Sequence, residues 1–98
     1  MTDPLISVVV PAHNAEAVLG NCLNAVKASD LPRSAWELIV VDDASTDQTV
    51  AVAERLADKV IPLHGMARGP AYARNRGFES AKAEIVAWVC LGSPGSMA

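Results

Sequence analysis

Two adjacent carboxylates, Asp42 and Asp43, are the residues of this sequence best suited to chemistry. They directly follow a short apolar run, Leu38 to Val41, which predicts a buried strand. In an open α/β sheet, ligands bind in the crevice outside the carboxyl ends of the strands. Two like charges side by side repel, so a turn selected only for stability would rarely keep both. We therefore expect the pair to face a ligand with hydrogen-bond donors, such as a base N–H, ribose hydroxyls or a metal ion.

Strand and helix patterns alternate on both sides of this pair. The other apolar, β-branched runs predict strands at Leu5–Val10, Val60–Leu63 and Ile85–Val89. Apolar residues at helical spacing fill the segments between the strands. The alternation predicts an α/β fold of three layers (α/β/α), with a parallel sheet of about four strands and right-handed crossovers. The strands lack clean period-two alternation, as expected when helices cover both faces.

The predicted helices have recognisable starts. Asn14 is a good N-cap for the first helix, and Ser45 with Gln48 gives the second a capping box. Gly69 followed by Pro70 suits the opening of the third helix. The loops before these helices all leave the same rim of a parallel sheet, so we expect their polar residues to converge there.

Two further features predict how the elements pack. Pro62 interrupts the third strand and indicates a sheet edge. Ala73 and Gly77 give the third helix a small face, which predicts close packing on the sheet.

Composition limits the classes of function. The chain has 98 residues, a hydrophobic fraction of 51% and a net charge of −3. It fits one small domain or part of a larger one, and its acidity argues against nonspecific nucleic-acid binding. Cys22 and Cys90 lie in apolar contexts without metal-ligand spacing, which predicts reduced thiols and a cytoplasmic protein. We expect no signal peptide and no membrane span, since no apolar run approaches roughly 18 residues.

Several alternative site types do not fit. Pro11, Ala12 and His13 replace the glycine fingerprint that a dinucleotide site needs after the first strand. No Gly-Lys-Ser/Thr follows a strand, which argues against a P-loop. A phosphoacceptor receiver domain would need its acidic pair after the first strand and an aspartate after the third, where this chain has His64.

Three segments, residues 7–16, 40–47 and 69–77, together resemble the opening of a family 2 glycosyltransferase. Their order and spacing fit from about Ile6 to Val89. The resemblance implies a Rossmann-like nucleotide-diphosphosugar transferase fold, of which this chain would be the nucleotide-binding half. Residues 1–98 would form a single nucleotide-sugar-binding domain, truncated near 90–98 before the acceptor-binding half.

The resemblance also implies a set of nucleotide-binding residues. They are Pro11, Ala12, His13, Asn14, Glu16, Asp42, Asp43, Arg68, Gly69 and Arg74. The family usually has tyrosine at the place of His13, where a ring packs on the nucleobase. Asp43 would accept a hydrogen bond from the base, commonly uracil, and Asp42 would help with base or ribose. Arg68 and Arg74 would lie near the base and phosphates, where a cationic fork suits pyrophosphate.

Simpler structural roles stay open for several polar residues. They are Asn14 as an N-cap, His13 as a loop residue, Arg68 and Arg74 as surface charges, Asp47 as a charge favoured by a helix dipole, and Arg76 as a solvated helix residue.

The sequence departs from the family after the fourth strand. There the family places an Asp-x-Asp motif for a divalent metal, whereas this chain has Cys90, Leu91 and Gly92. None of these side chains offers the oxygen ligands that Mg²⁺ or Mn²⁺ prefers. We therefore expect the metal only in full-length relatives, and neither a cofactor nor a catalytic residue in this chain. A fragment and an interrupted gene are both compatible with this ending.

Two hypotheses of function follow. The first is a glycosyltransferase fragment that binds the nucleotide of a nucleotide-sugar donor, with a UDP-sugar favoured, and transfers negligibly by itself. The second is a non-catalytic nucleotide-binding or oligomerisation module, which would form a homodimer through the edge of the fourth strand. Peripheral association with a membrane is left open for full-length relatives.

Overall fold

A computed structural model describes residues 4–28, 32–66, 68–83 and 85–88 of the chain. The elements in chain order are β1 (Ile6–Ala12), α1 (Glu16–Lys27), a 3₁₀ turn (Arg33–Ala35), β2 (Trp36–Asp43), α2 (Thr49–Leu56), β3 (Lys59–Leu63), α3 (Pro70–Ser80) and β4 (Ile85–Trp88). The strands pair in parallel in the order β3-β2-β1-β4. The predicted α/β fold with a four-stranded parallel sheet is confirmed.

The sheet has an apolar core on each face, because successive residues of a strand point to opposite sides. On one face, Leu38 and Val40 of β2 pack with Leu19 and Leu23 of α1 and with Ala53 of α2. On the other face, Val9, Ile39 and Val41 pack with Ala73 of α3. All of these side chains have 0% exposure. Covering both faces explains the continuous apolar runs of β1 and β2.

The strands run further than the sequence indicates. The predicted end of β1 before Pro11 is wrong, because the strand continues through Pro11 to Ala12. Proline has no N–H for a ladder, and among the described residues β1 pairs with β4 as far as Val9, so Pro11 pairs there only with β2. β2 likewise extends through Asp42 and Asp43, which are the last residues of the strand rather than part of a turn.

Both predicted side-chain caps are wrong. α1 begins at Glu16 and α2 at Thr49, and neither helix has a side-chain hydrogen bond from its N-cap residue. Asn14 cannot act as the N-cap because it adopts a left-handed conformation, with φ of 47°, two residues before the helix. Ser45 lies well before α2, and its hydroxyl instead accepts a hydrogen bond from the N–H of Asn14, which lies in the loop between β1 and α1 (the first loop).

α3 lies very close to the sheet, as its small residues predict. A Cβ added to Gly77 would lie 2.4 Å from Cγ1 of Val9 and 3.0 Å from Cγ2 of Val41, so glycine is required at this contact.

The edge position predicted from Pro62 is also confirmed, since β3 is an outer strand of the sheet.

Two hydrogen-bonded groups fix the rim at the amino ends of the strands. The Glu37 carboxylate accepts from the Ser7 hydroxyl at 2.5 Å and from the Lys82 N–H at 2.8 Å. The Asp58 carboxylate accepts from Arg33 and from the N–H of Leu38. The strands are therefore held together at this rim.

In the part of the chain that the structure describes, no helix is both long and apolar enough to cross a membrane. The predictions for Cys90, Leu91 and Gly92 and for a truncation near 90–98 lie outside the described residues.

Candidate functional site

The two acids at the end of β2 point to opposite faces of the sheet. Asp42 continues the side of Val40, which faces α1 and α2, and Asp43 continues the side of Val41, which faces α3. Both residues are only 3% exposed. The repulsion expected from their adjacency in the sequence is therefore relieved without a ligand, since alternation separates the carboxylates and backbone N–H groups bind each of them.

Asp43 binds the loop between β3 and α3 (the third loop) to the end of β2. Its Oδ1 accepts from the N–H of Arg68 at 2.9 Å, and its Oδ2 accepts from the same N–H at 3.1 Å and from the N–H of Gly69 at 2.7 Å. Hydrogen bonds to an ionised acceptor are among the stronger ones in proteins. Asp43 therefore sets the position of the segment that leads into α3.

Asp42 binds the loop between β2 and α2 (the second loop), through fewer hydrogen bonds than Asp43 makes with the third loop. Its Oδ2 accepts from the N–H of Ser45 at 3.2 Å. Its Oδ1 is buried and has no hydrogen-bond partner among the described residues. A buried acceptor without a partner is costly, so this oxygen marks a place where a further donor would be favourable.

His13 lies directly beside the acidic pair. Its Nδ1 lies 2.6 Å from the backbone carbonyl of Asp43, and because a carbonyl only accepts, Nδ1 carries the proton. The Nε2 atom then accepts from the side-chain amide of Asn14 at 3.4 Å. The ring is exposed at its outer side and oriented by both contacts, as a platform for stacking would need to be.

The first and second loops are joined through Asn14. Its N–H donates to the Ser45 hydroxyl at 2.8 Å, and its side-chain oxygen accepts from the N–H of Thr46 at 2.8 Å. The turn also needs a left-handed residue at Ala44, with φ of 58°. Asn14 thus positions the rim through loop-to-loop contacts.

Asp47 and Thr49 connect the starts of α1 and α2, and no role for Thr49 is predicted from the sequence. The Asp47 carboxylate accepts from the hydroxyl and the N–H of Thr49 and from the N–H of Glu16. The Thr49 hydroxyl accepts from the N–H of Ala15 at 2.8 Å. The hydrogen bond from the Thr49 hydroxyl, followed by those from backbone N–H groups, lowers the pKa of Asp47. An aspartate two residues before a threonine is a turn signal that indicates this arrangement.

The remaining predicted site residues are not all drawn into one cluster. The guanidinium of Arg68 lies over the ring of Tyr72, 5.0 Å from its centroid, while the backbone N–H of Arg68 donates to the Asp43 carboxylate. Arg74 is half-buried and lies six residues later, within α3. Glu16 contributes its N–H to Asp47, while its side chain is exposed. Arg76 is an exposed helix residue, which agrees with the simpler role considered for it, and its guanidinium pairs with Glu79.

Within the described ranges, no three His, Cys, Asp or Glu side chains are arranged to hold a metal ion. The rim instead combines an oriented imidazole, a buried carboxylate and an exposed guanidinium. This combination suits binding of a ligand that has a flat ring, a hydrogen-bond donor and a negative charge.

Comparisons with known proteins point to one family. The family model described as glycosyl transferase family 2 matches residues 7–89. A curated relative, the poly(ribitol-phosphate) beta-N-acetylglucosaminyltransferase TarS of Staphylococcus aureus, is 37% identical over 87 residues. That match covers 85% of this chain and 15% of TarS, so the chain spans a small part of this relative's length.

Solved structures agree with the sequence comparison. The structure of S. aureus TarS 1–349 in complex with UDP has a TM-score of 0.81 and 37% identity, covering 87% of this chain and 26% of that one. The mannosyltransferase PcManGT from Pyrobaculum calidifontis, in complex with GDP-Man and Mn²⁺, has a TM-score of 0.72 and 32% identity, covering 88% and 27%. Both likenesses extend over almost all of the described fold.

Proposed function

Because this chain belongs to glycosyl transferase family 2, we propose that it binds the nucleotide part of a nucleotide-sugar donor. One observation carries the proposal, namely that Asp43, at the carboxyl rim of the sheet, binds the His13 ring through its backbone carbonyl and the backbone N–H of Arg68 through its carboxylate. Their ring, carboxylate and guanidinium match a nucleobase, its N–H donor and a pyrophosphate. Uridine diphosphate is the favoured nucleotide, since the TarS structure at 37% identity is a complex with UDP.

Each rim residue has a role in orienting this ligand. The His13 ring stacks on the base, and Asp43 accepts one of its N–H groups. Asp42 would take a base or ribose donor only through rearrangement, because its free oxygen is buried. Pro11 and Ala12 form the floor at the end of β1. Arg68 and Arg74 attract the diphosphate.

In longer relatives, sugar transfer to an acceptor would use groups beyond the nucleotide-binding segment. A divalent metal supplies stabilisation of the charge that develops on the leaving diphosphate, and the PcManGT complex contains Mn²⁺. The corresponding segment of this chain, Cys90, Leu91 and Gly92, has no carboxylate, so the residues present do not fit such a metal. We therefore expect negligible transfer by these 98 residues alone.

Calorimetric titration of the chain with UDP tests the proposal. We expect weak binding, with a free energy on the order of −4 to −6 kcal/mol. Replacing Asp43 by Ala should weaken binding by about 1–3 kcal/mol, since a charged hydrogen-bond acceptor is lost. Arg76→Ala is the matched control, because Arg76 is an exposed residue of α3 that we place outside the site. An Asp43→Ala chain that folds and binds UDP as tightly as the wild type would exclude the assigned site.

The effect of Mn²⁺ on the affinity for UDP is a second test of the assigned nucleotide site. With no carboxylate at positions 90–92, Mn²⁺ should raise the affinity for UDP by less than tenfold. A larger increase would mean that carboxylates of the rim, such as Asp42, hold an ion together with the diphosphate.

The second candidate function is a non-catalytic module that associates with a second copy of the chain. Among the described residues β4 pairs only with β1 and is the last strand of the sheet. An open strand edge pairs readily with another chain. Sedimentation over a range of concentrations tests this, and a monomer at hundreds of micromolar would contradict it. The cytoplasmic location stays a prediction, supported by the free thiol of Cys22.

A further inference from the structure

Arg68 and Tyr72 form a pair at the start of α3. The guanidinium of Arg68 lies 5.0 Å from the centroid of the Tyr72 ring, and a ring face attracts a cation within about 6 Å. The backbone N–H of Arg68 donates to Asp43, so both the backbone and the end of the side chain are held. Within the described part of the chain, no carboxylate pairs with this exposed guanidinium. Its N–H donors are therefore available to a ligand.

A second arginine of the chain shows what a stacked guanidinium can bind. Arg33 lies over the ring of Trp36, 4.1 Å from its centroid. At the same time its Nη2 donates to the Asp58 carboxylate at 2.6 Å, and its Nη1 donates to the backbone carbonyl of Trp36 at 2.8 Å. Stacking uses the face of the planar guanidinium and the hydrogen bonds use its edge, so the two contacts are compatible. Arg68 and Tyr72 repeat the stacked part of this arrangement.

We propose that Tyr72 is a positioning residue, which orients the edge of the Arg68 guanidinium toward the diphosphate of a bound nucleotide. The inference rests on the proposed nucleotide-binding function and deepens it. Arg68 lies two residues before α3, at the rim that carries the candidate site. A phosphate oxygen accepts from the edge of a stacked guanidinium as the carboxylate of Asp58 does. Tyr72 acts through Arg68 and does not itself contact the nucleotide.

The benefit of the ring is that it restricts the arginine before the ligand arrives. An arginine side chain loses conformational freedom when it binds an anion, and one that is already held loses less. A cation–π contact at an exposed site changes an equilibrium by roughly two- to fivefold. This range applies because Arg68 is exposed and Tyr72 is 37% exposed. Removing the ring should therefore weaken diphosphate binding by about two- to fivefold.

Three substitutions on α3 separate the ring from the rest of the side chain. Tyr72→Leu removes the ring, whereas Tyr72→Phe keeps the ring and removes only the hydroxyl group. Phe78→Leu is the matched control, since Phe78 is another exposed aromatic residue of the same helix. It lies six residues after Tyr72, which places it about 9 Å further along the helix axis and away from the candidate site.

The experiment measures the affinities of the full chain for UDP and for uridine by NMR titration. Tyr72→Leu should weaken UDP binding about two- to fivefold and leave uridine binding unchanged, because uridine has no phosphate. Tyr72→Phe and Phe78→Leu should bind both ligands as the wild type does. Arg68→Ala should weaken UDP binding, and adding Tyr72→Leu to that chain should cause no further loss, since the ring acts through the arginine.

A spectroscopic measurement reports on the pair directly. Tyr72 is the only tyrosine of the chain, so its ring signals are assigned without ambiguity. The side-chain protons of Arg68 should be shifted upfield by the ring in the wild type and in Tyr72→Phe, but not in Tyr72→Leu. UDP should change the guanidinium signals of Arg68, and uridine should not.

The outcomes separate this inference from the proposed function. An equal loss of UDP and uridine affinity in Tyr72→Leu would overturn the positioning role, as would a further loss in the Arg68→Ala chain. Unchanged UDP affinity in Tyr72→Leu would also overturn it, while loss of UDP binding in Asp43→Ala would leave the proposed function in place. Binding of neither UDP nor uridine to the wild type would overturn both. If Tyr72→Leu fails to fold, Arg68→Ala decides, and wild-type UDP affinity in that variant contradicts the inference.

Discussion

Replacing Gly77 by alanine should destabilise the protein, although alanine is the better helix former. Gly77 is an interior residue of α3 and faces the sheet. The added Cβ would lie 2.4 Å and 3.3 Å from the two methyl groups of Val9, and 3.0 Å from a methyl group of Val41. Carbon atoms pack best at about 3.5–4.0 Å. Both valines have 0% exposure, so they have no free space into which to turn.

The expected magnitude follows from two opposing effects. Forcing an extra methyl group into a well-packed core costs about 1–3 kcal/mol. The shortest contact would need more than about 1 Å of separation to reach an ordinary distance, which favours the upper half of that range. The gain in helix propensity from glycine to alanine returns about 1 kcal/mol. The net loss should be about 1–2 kcal/mol, which lowers the Tm by roughly 4–15 °C in a domain of this size.

Urea and thermal unfolding of matched variants measure this effect. Gly20→Ala is the control, since a Cβ at that position in α1 meets only Val52 Cγ1 at an ordinary 3.8 Å. It should be neutral or stabilising by up to about 1 kcal/mol. In a Val9→Ala background the cost of Gly77→Ala should fall by at least about 1 kcal/mol, because the closest methyl groups are gone. Equal stability of Gly77→Ala and Gly20→Ala would refute the close packing of α3.

Two further predictions concern titrating groups. The folded state lowers the pKa of Asp47 from its ordinary 3.8, so the stability that this group contributes is complete above that value and is lost as the pH falls below it. Urea unfolding between about pH 6 and pH 3 should therefore show a smaller decrease in the free energy of unfolding for Asp47→Asn than for the wild type. Equal decreases would contradict the role of Asp47 at the helix starts. Burial raises the pKa of the Cys22 thiol above its ordinary 9.0. In a Cys90→Ser chain near neutral pH, a disulfide reagent should therefore modify Cys22 more slowly in the folded chain than in the urea-unfolded chain. Equal rates would contradict the half-buried position of Cys22.

The elements of this fold are predictable because their signals are local. The apolar runs of the strands, the proline in β3 and the glycine in α3 each imply their structural role from neighbouring residues alone. Pro62 is at an edge and Gly77 is at a close helix-to-sheet contact, as predicted. The errors lie at the ends of elements, where Asn14 and Ser45 are good caps by type but bind each other instead.

The contacts of the candidate site were harder to predict because they join distant parts of the chain. Asn14 and Ser45 are 31 residues apart, and Asp43 and Arg68 are 25 residues apart. A local pattern identifies an aspartate at the end of a strand, but it does not tell whether a ligand or a backbone N–H will use the carboxylate. The resemblance to a family identified the rim, while the structure shows which acceptor positions of the rim are already occupied.

Strand alternation explains how one pair of acids holds two loops. Since Asp42 and Asp43 point to opposite faces, each meets the loop that enters the helix layer on its own side. Moving this pair along β2 by one residue would exchange the faces and leave both loops without their acceptor. The position of the acids at the last residues of the strand therefore fixes the second and third loops relative to the sheet. A nucleotide that binds Asp43 would then contact a group whose geometry is set before the ligand arrives, which is the condition for selective binding.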